Sequence, residues 1–442
     1  MRIHLIAIGG KVMHNLALEL AQRGHEVSGS DDEIYDPAYS RLKDAGLLPD
    51  RMGWDVERIT SQIDIVILGM HARVDNPELV RCQQLGVQIM SFPEFIGEAF
   101  ANKQNIVIAG SHGKTTITGM LMHVFRQMGV EADYLLGGLL AGFERMVSLG
   151  EAPVAVIEGD EYLSSRIDPT SKMLHYRGDI VVITGIELDH MNVFPTMDDY
   201  VHPFSELIDQ TSARDGQVVW YAEDQILAKL IREKPDAGTQ GYIPFSATAD
   251  GALVHEDRVY NMNVFGEHNR ANMSAVVSVC RILGHNDHEV LEALTTFSGV
   301  GRRLQQIGEH PIVYLDYAHA PSKLRATLVA VQERHVQQRI LAVYELHTYS
   351  SLSKDFLPHY RNTMVGAHEA IIFYDPHAAE MKQMASLSSD EIRDGFGRHD
   401  LHIIHDAAEL SDRLSDAKDR YDVILLMSSG TFGGLDNDKW LA

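Results

Sequence analysis

The stretch with the clearest chemical meaning is rich in glycine, follows an apolar run and opens an amphipathic run. Its residues are Gly110-Ser111-His112-Gly113-Lys114-Thr115-Thr116. Glycines allow backbone N–H groups to close on phosphate oxygens, a lysine adds positive charge, and a threonine hydroxyl can bind Mg²⁺. The spacing is shorter than in the common G-x4-G-K-S/T loop, but a helix predicted over Thr116–Met128 supplies the required context. A plain glycine-rich turn is the alternative.

Two acidic segments follow other apolar runs. Glu158-Gly159-Asp160-Glu161 comes directly after Val154–Ile157, and Glu187-Leu188-Asp189-His190 follows Ile180–Thr184. The carboxyl ends of parallel strands meet at one edge of a sheet. Both segments are therefore predicted to lie near residues 110–116, the phosphate loop, and to contact metal or phosphate. A solvated acidic turn and a structural histidine are the alternatives.

A pair of amide side chains lies near the start of a later predicted helix. Asn269 and Asn272 are three residues apart in the segment GEHNRAN. Side chains at this spacing share a helix face. Amides can pair with the donor and acceptor edge of adenine, whereas N-capping by Asn269 alone is the alternative.

Polar residues also flank predicted strands in the last third of the chain. Arg302-Arg303 precede one strand, and the segment Asp316-Tyr317-Ala318-His319 ends the next. An arginine can offset charge on a transferring phosphoryl group, and Asp316 or His319 can contact ribose or phosphate. The segment 428–434, which contains Ser429 and Gly430, is either a ligand loop or a plain turn.

The N-terminal residues indicate a second anion site. Gly9 and Gly10 end the first apolar run, and Ser30 and Asp31 end the second. This arrangement resembles a dinucleotide-binding fold, but the G-x-G-x-x-G pattern is incomplete. A diphosphate at a helix N-terminus is therefore favoured over NAD.

Apolar runs that alternate with amphipathic stretches indicate α/β units with buried parallel sheets. The runs are Ile3–Ile8, Ile63–Leu68, Ile106–Ala109, Val154–Ile157, Ile180–Thr184, Ile312–Leu315, Ile340–Tyr344, Ala370–Tyr374 and Val423–Met427. Breaks in the pattern predict three domains, 1–104, 105–296 and 297–442. The turn-rich region Gly241–Val264 is predicted to form an antiparallel edge of the middle domain.

Composition restricts the functional class. The chain has 442 residues and a net charge of −24 at pH 7, which argues against nucleic-acid binding because a basic stripe is needed there. No apolar run approaches the roughly 18 to 20 residues of a membrane span. Cys82 and Cys280 form no CxxC pair, so we expect reduced, buried thiols in a cytoplasmic protein. Anionic ligands would require a locally positive site.

Together these segments resemble the Mur ligase family over all three predicted domains. The resemblance rests on GSHGKTT, EGDE, ELDH, GEHNRAN, GVGRRL, LDYAHAP and MSSGTFGGL. It implies an α/β protein with a Rossmann-like UDP-binding domain, a P-loop ATPase-type central domain with a largely parallel sheet, and a Rossmann-like C-terminal domain that binds peptide.

The resemblance also implies an activity. IHLIAIGG and GSD are similar to the domain that binds UDP-N-acetylmuramate, and EGDEY, KMLHY and MSSGTFGG are similar to members that use a cell-wall tripeptide. The implied enzyme is an ATP-dependent amide ligase of peptidoglycan recycling. It joins UDP-N-acetylmuramate to L-alanyl-γ-D-glutamyl-meso-diaminopimelate through an acyl-phosphate. Free L-alanine is the alternative amine, and a P-loop phosphotransferase or a nucleotide-gated binding module are alternatives from other classes.

The resemblance assigns roles to individual residues. Implied catalytic residues are Lys114, Glu158, His190 and Arg303. Implied ATP contacts are the whole phosphate loop with Asn269, Asn272, Arg303 and Asp316. Implied Mg²⁺ ligands are Thr115 and Glu158 for one ion and His190 for another. Implied UDP-sugar contacts are Gly9, Gly10, Ser30 and Asp31. Implied peptide contacts are His319, His347, Ser429 and Gly430. Closure of the domains is implied to assemble the site and exclude water.

Some positions depart from the family pattern. Lys11 and His14 lie in the first glycine-rich turn, where small residues are usual. Ser205 lies where several members carry a carbamoylated lysine, so we predict no carbamate. The segment 345–350 lacks the arginine that the resemblance would predict, which leaves the peptide contacts open.

Overall fold

The computed structural model describes residues 1–70, 72–140, 142–187, 193–248 and 251–441. These residues form two compact units. The first unit contains the described residues up to 187 together with 193–243 and 275–290, and the second contains the remainder of the described chain. None of the helices in these ranges has the length and apolar character needed to cross a membrane.

The first hundred residues form a four-stranded parallel sheet in the order β2-β1-β3-β4. Its strands are β1 (Arg2–Ile6), β2 (Glu26–Ser30), β3 (Ile65–Leu68) and β4 (Gln88–Ser91). The helices between and after them are α1 (Lys11–Gln22), α2 (Ala38–Asp44), α3 (Pro77–Leu85) and α4 (Phe92–Ala99). Every residue of β3 is buried, as expected for a parallel strand that is covered on both faces.

The next sheet has seven strands in the order β11-β10-β9-β5-β8-β6-β7. Its strands are β5 (Gln104–Ala109), β6 (Ala132–Leu135), β7 (Val147–Ser148), β8 (Val154–Glu158), β9 (Ile180–Ile183), β10 (Gln217–Tyr221) and β11 (Thr239–Tyr242). The accompanying helices are α5 (Lys114–Met128), α6 (Met197–Ser212) and α7 (Gln225–Arg232). Strand β5 lies between β8 and β9 and is parallel to both, so the segments that follow these three strands meet at one edge.

The prediction for Gly241–Val264 is wrong. Strand β11 pairs parallel with β10, and the antiparallel edge strand of this sheet is β7. The region instead contributes β12 (Ser246–Ala247), β13 (Leu253–His255) and β14 (Arg258–Tyr260), which form a separate antiparallel sheet in the second unit. The positive φ of Glu256 closes a tight hairpin, so these short strands pair with one another.

Two helices, α8 (Glu267–Ile282) and α9 (Asp287–Thr295), precede the last sheet. That sheet has six strands in the order β15-β16-β20-β17-β18-β19, and only β15 is antiparallel to its neighbour. Its strands are β15 (Gln305–Glu309), β16 (Ile312–Asp316), β17 (Ile340–Leu346), β18 (Glu369–Tyr374), β19 (His402–Ile404) and β20 (Val423–Met427). Its helices are α10 (Pro321–Arg334), α11 (Pro376–Met381), α12 (Ser389–Phe396), α13 (Ala407–Ala417) and α14 (Asn437–Leu441).

The nine apolar runs named from the sequence all become strands, and both cysteines are buried and outside any disulfide. Burial raises the pKa of the Cys82 thiol to about 11 and that of the Cys280 thiol to about 12. Both thiols therefore stay protonated near neutral pH.

One glycine allows two elements of the first unit to pack closely. Gly97 lies in α4 against a short 3₁₀ turn, Lys172–His175. A Cβ atom at position 97 would lie 2.2 Å from the carbonyl oxygen of His175. Because that oxygen belongs to the backbone, it cannot move aside as a flexible side chain would.

We therefore predict that Gly97→Ala lowers stability, although alanine ordinarily favours a helix. The expected loss is about 1–3 kcal/mol, the usual cost of overpacking. The measurement is the thermal unfolding midpoint, with Glu98→Ala, at an exposed position of the same helix, as the control. A Gly97→Ala variant at least as stable as the parent would refute the close packing.

Candidate active site

The phosphate loop connects the end of β5 to the start of α5. Gly110 has a φ of +116° and Gly113 a φ of +78°, both in the left-handed region. A Cβ atom on Gly110 would lie 2.3 Å from Thr184 Oγ1, so only glycine fits there. Because Gly113 is the N-cap, α5 begins at Lys114, two residues before the predicted start. The N-terminus of α5 thus faces the loop, as an anion site requires.

A buried hydrogen-bonded network holds the lysine of this loop. The Lys114 ammonium donates to the Gly110 carbonyl at 2.5 Å and to Glu161 Oε2 at 2.6 Å. The other oxygen of Glu161 accepts from the Tyr200 hydroxyl at 2.9 Å, and that hydroxyl lies 2.8 Å from Ser111 Oγ. Glu161 is only 1% exposed, so its charge depends on these partners.

Electrostatics keep Lys114 charged. Burial lowers the pKa of Lys114, but Glu161 and the nearby Asp160 raise it by more, and the net shift is upward. Sequence reasoning placed Glu161 in an acidic segment predicted to contact metal or phosphate, did not predict its pairing with Lys114, and missed Tyr200. The sequence spacing offered no signal for Tyr200, because it lies 39 residues from Glu161 on α6.

Two of the three residues assigned to Mg²⁺, Thr115 and Glu158, are in direct contact. Thr115 Oγ1 donates to Glu158 Oε1 at 2.8 Å, and the Gly137 N–H donates to Glu158 Oε2 at 2.9 Å. A hydroxyl and a carboxylate are the oxygen donors that Mg²⁺ prefers, so Thr115 and Glu158 fit this ion. A Cβ atom on Gly137 would lie 2.1 Å from Glu158 Oε1, so a larger residue at position 137 would displace the carboxylate. Sequence reasoning missed Gly137.

The second acidic segment is only partly described. Nε2 of His112 lies 2.7 Å from Glu187 Oε2, which joins the phosphate loop to the residues after β9. Asp189 and His190 lie outside the described residues, so the metal role of His190 stays a prediction. Within the described ranges, no three His, Cys, Asp or Glu side chains form a group that could hold a metal ion.

The residues assigned to the UDP-sugar meet at the start of α1. The N–H of Gly9 donates to Asp31 Oδ2 at 2.8 Å, and Gly10 is the N-cap of α1. The Ser30 carbonyl accepts from the N–H groups of Ala7 at 2.9 Å and Ile8 at 3.0 Å. The four predicted residues, Gly9, Gly10, Ser30 and Asp31, are therefore brought together beside a helix N-terminus.

The amide pair lies in the second unit. Asn272 Nδ2 donates to Asn269 Oδ1 at 3.3 Å, which confirms that the two side chains share a face of α8. Asn269 lies inside the helix, which begins at Glu267, and its amide donates to the Phe265 carbonyl at 2.8 Å. N-capping by Asn269 is therefore wrong.

The paired arginines lie on a turn with an unusual backbone. Arg302 and Leu304 have φ values of 58° and 46°, which cost energy for residues with a side chain. The Arg303 guanidinium lies 4.7 Å from the centroid of the Tyr317 ring. The Arg302 guanidinium donates to the carbonyls of Ser428 at 2.9 Å and Gly430 at 2.5 Å. Arg302 thereby fixes the segment after β20.

The carboxylate of Asp316 has a structural role in this turn. Its Oδ2 accepts from the Leu304 N–H at 2.8 Å, and its Oδ1 accepts from the Ala318 N–H at 2.8 Å and the Thr327 hydroxyl at 3.1 Å. His319 Nδ1 lies 2.9 Å from the Tyr317 carbonyl. The nucleotide contact of Asp316 and the peptide contact of His319 stay predictions.

A second group of polar residues lies where β17 and β20 end. The buried Glu345 carboxylate accepts from the Ser428 hydroxyl and, at 2.9 Å, from the Phe432 N–H. A Cβ atom on Gly430 would lie 2.8 Å from both Glu345 Oε2 and His347 Nδ1, so glycine allows this approach. Ser429 Oγ is buried and has no hydrogen-bond partner among the described residues.

A lysine that sequence reasoning missed belongs to the same group. Lys382 donates to the His347 carbonyl and lies 5.7 Å from the Tyr349 ring centroid. Burial lowers the pKa of His347, and Lys382 lowers it further, whereas Glu345 opposes both. Burial also lowers the pKa of Lys382. Lys382 lies 35 residues from His347 in the sequence, and no motif links the two positions, so the sequence did not reveal this contact.

The amino-acid sequence matches curated proteins along most of its length. The UDP-N-acetylmuramate–L-alanine ligase of Clostridium botulinum is 31% identical over 89% of this chain and 86% of that protein. The chain belongs to the Mur ligase family. This Mur ligase is also 29% identical to the UDP-N-acetylmuramate–L-alanyl-gamma-D-glutamyl-meso-2,6-diaminoheptandioate ligase of Escherichia coli, over 98% of this chain and 96% of that protein.

Three family models match the Mur ligase in succession. They are the Mur ligase family catalytic domain at 2–104, the Mur ligase middle domain at 108–280, and the Mur ligase glutamate ligase domain at 302–430. A murein peptide ligase from Psychrobacter arcticus has the same fold, with a TM-score of 0.71 and 23% identity over 100% of this chain and 98% of that chain. The predicted fold class is confirmed. Members of the family are ATP-dependent ligases that form carbon–nitrogen bonds, and this Mur ligase is such an enzyme.

We predict that Lys114→Met reduces turnover by at least about 10²–10³-fold, the usual effect of removing one electrostatic contact to a transition state. The variant also leaves Glu161 buried without its cation, so its thermal midpoint should fall. Steady-state phosphate release and thermal unfolding measure the two effects. The double variant Lys114→Met/Glu161→Gln should recover stability but not turnover. Activity like that of the parent in a folded variant would refute the role of Lys114.

A separate prediction concerns Glu158. Glu158→Gln weakens a proposed Mg²⁺ ligand, so the Mg²⁺ concentration for half-maximal activity should rise by tenfold or more, on the order of 1.4 kcal/mol. Glu151→Gln is the matched control, because Glu151 is exposed, lies just before β8 and has no proposed metal role. An unchanged Mg²⁺ dependence in Glu158→Gln would mean that the metal site is misplaced.

Proposed function

We propose that this Mur ligase joins the lactyl carboxylate of UDP-N-acetylmuramate to the α-amine of L-alanyl-γ-D-glutamyl-meso-diaminopimelate. The observation that carries the proposal is the match to the Escherichia coli enzyme named for that reaction, which extends over 98% of this chain. The substrates are small molecules, and reduced thiols favour a cytoplasmic location.

The proposed roles follow the order of the chain. Residues 1–104 bind UDP-N-acetylmuramate, 105–296 bind ATP, and 297–442 bind the peptide. Gly9, Gly10, Ser30 and Asp31 surround the N-terminus of α1, where a diphosphate is favoured. Asn269 and Asn272 supply a paired amide face for adenine.

The first step must bring a carboxylate close to a triphosphate. Two unit charges about 4 Å apart repel by roughly 4 kcal/mol at an effective dielectric constant of about 20. Lys114 stays charged beside the phosphate loop, and the start of α5 directs backbone N–H groups towards the same place. Mg²⁺ held by Thr115 and Glu158 would neutralise further phosphate charge. These contacts favour attack of the lactyl oxygen on the γ-phosphate, which forms an acyl-phosphate and releases ADP.

The second step is attack of the peptide amine on the acyl carbon, which forms the amide and releases phosphate. Arg303 is proposed to stabilise the phosphoryl charge, and its stacking on Tyr317 holds the guanidinium in place. We propose His347, Lys382, Ser429 and Gly430 as the peptide site. Two observations support this site. The Lys382 ammonium donates a hydrogen bond to the His347 carbonyl. The buried Ser429 hydroxyl has no hydrogen-bond partner among the described residues.

The second candidate function is addition of free L-alanine to the same acid. It is favoured by the higher identity, 31%, to the ligase from Clostridium botulinum that is named for this amine. Both amines present an L-alanyl nitrogen, so the two functions differ only in contacts with the rest of the peptide. Carboxylates beyond the alanyl residue can bind remote cations and orient the attack.

We predict that kcat/KM for the tripeptide exceeds that for free L-alanine by at least tenfold, or about 1.4 kcal/mol of transition-state binding. The dipeptide L-alanyl-γ-D-glutamate is the matched substrate, because it lacks only the third residue. Initial rates of phosphate release with UDP-N-acetylmuramate and ATP measure all three amines. Lys382→Met should raise the KM for tripeptide and leave the KM for ATP unchanged. A preference for free L-alanine would favour the second function.

A further inference from the structure

Helix α1 contacts the central domain through one row of side chains. Lys11, Asn15 and Glu19 are spaced by four residues, so they lie on one face of the helix. All three contact the segment 137–149, which is described except for residue 141. The contacts are Lys11 Nζ to the Gly137 carbonyl at 3.0 Å, Met146 N–H to Asn15 Oδ1 at 3.2 Å, and Leu149 N–H to Glu19 Oε1 at 3.1 Å.

Gly137 connects this row to the proposed metal site. Its carbonyl accepts from Lys11, and its N–H donates to Glu158 Oε2. A Cβ atom at position 137 would lie 2.1 Å from Glu158 Oε1, so the backbone of this residue touches the carboxylate without any gap. Gly137 therefore links the Lys11 ammonium to the Glu158 carboxylate through two hydrogen bonds.

Lys11 lies beside the proposed diphosphate site. It is the first residue of α1, the end of the helix where the dipole favours an anionic ligand. It directly follows Gly9 and Gly10, the proposed diphosphate site. An ammonium has three donors, so Lys11 can hold the Gly137 carbonyl and a phosphate oxygen together.

We propose that Lys11 is a positioning residue that couples the UDP-sugar site to the metal–nucleotide site through Gly137 and Glu158. The proposal rests on the proposed function, because it takes a nucleoside-diphosphate sugar as the ligand at α1. Binding of the sugar nucleotide anchors Lys11, which holds Gly137 and orients Glu158 for Mg²⁺. By linkage, nucleotide and Mg²⁺ must then tighten binding of the sugar nucleotide by the same factor.

Calorimetry of UDP-N-acetylmuramate, with and without Mg²⁺ and a non-hydrolysable ATP analogue, tests this coupling. We expect the ratio of the two affinities to be about 5- to 100-fold in the parent enzyme, a usual range for coupled sites. In Lys11→Met the ratio should fall close to one, and Lys11→Arg should retain most of it. Lys11 is exposed, so both variants keep the fold.

Two controls separate coupling from general stability. Lys43→Met removes another exposed lysine of the first domain and should leave the ratio unchanged. Glu19→Gln weakens the far end of the same row, where Glu19 pairs with Arg145 at 2.7 Å. It should lower the thermal midpoint without changing the ratio.

Two results would overturn the proposal. One is a coupling ratio in Lys11→Met equal to that of the parent. The other is an equal loss of sugar-nucleotide affinity with and without the ATP analogue, which would make Lys11 a simple ligand.

A further measurement distinguishes failure of the proposed function from failure of the role proposed for Lys11. The Mg²⁺ dependence of ATP-analogue binding, measured without UDP-N-acetylmuramate, should shift to higher Mg²⁺ in Lys11→Met. If the parent does not bind UDP-N-acetylmuramate at all, the proposed function fails, but this shift still tests the link from Lys11 to Glu158. Its absence would overturn that link.

Discussion

The ion pair between Lys114 and Glu161 connects the elements around the phosphate loop. Lys114 follows β5, Glu161 follows β8, and Tyr200 joins them from α6. A buried carboxylate that loses its partner costs about 3–5 kcal/mol, so these elements must keep their relative positions. The strand order, with β5 between β8 and β9, is what brings them to one edge of the sheet. Thr115 and Glu158 acquire their positions from the same arrangement.

The net charge of −24 makes this local arrangement necessary. Salt screens charges over about 8 Å at physiological ionic strength, so distant acidic residues contribute little at the loop. Close contacts decide the sign of the local potential. Helix N-termini at α1 and α5 add positive potential without adding side-chain charge. A strongly acidic chain can therefore still contain sites for anionic ligands.

The sequence predicted those features that depend on neighbouring residues. The nine apolar runs, the turn before α5 and the shared face of Asn269 and Asn272 all follow from local periodicity or spacing. Features that depend on contacts between distant segments were not predicted. Tyr200 and Gly137 act through Glu161 and Glu158, and nothing near them in the sequence marks that contact. The strands of 244–260 were assigned to the wrong sheet, because pairing partners cannot be read from short strands. The role of His190 stays a prediction.

The two buried thiols have a practical consequence for following motion in this enzyme. With thiol pKa values of about 11 and 12, no more than about one thiol in a thousand is ionised at pH 8. Maleimide reagents react with thiolates, so the parent chain should label slowly. A pair of cysteines introduced at exposed positions can then carry two fluorophores or two spin labels without removal of the native cysteines. Distance changes during a catalytic cycle thereby become measurable in an otherwise unaltered protein.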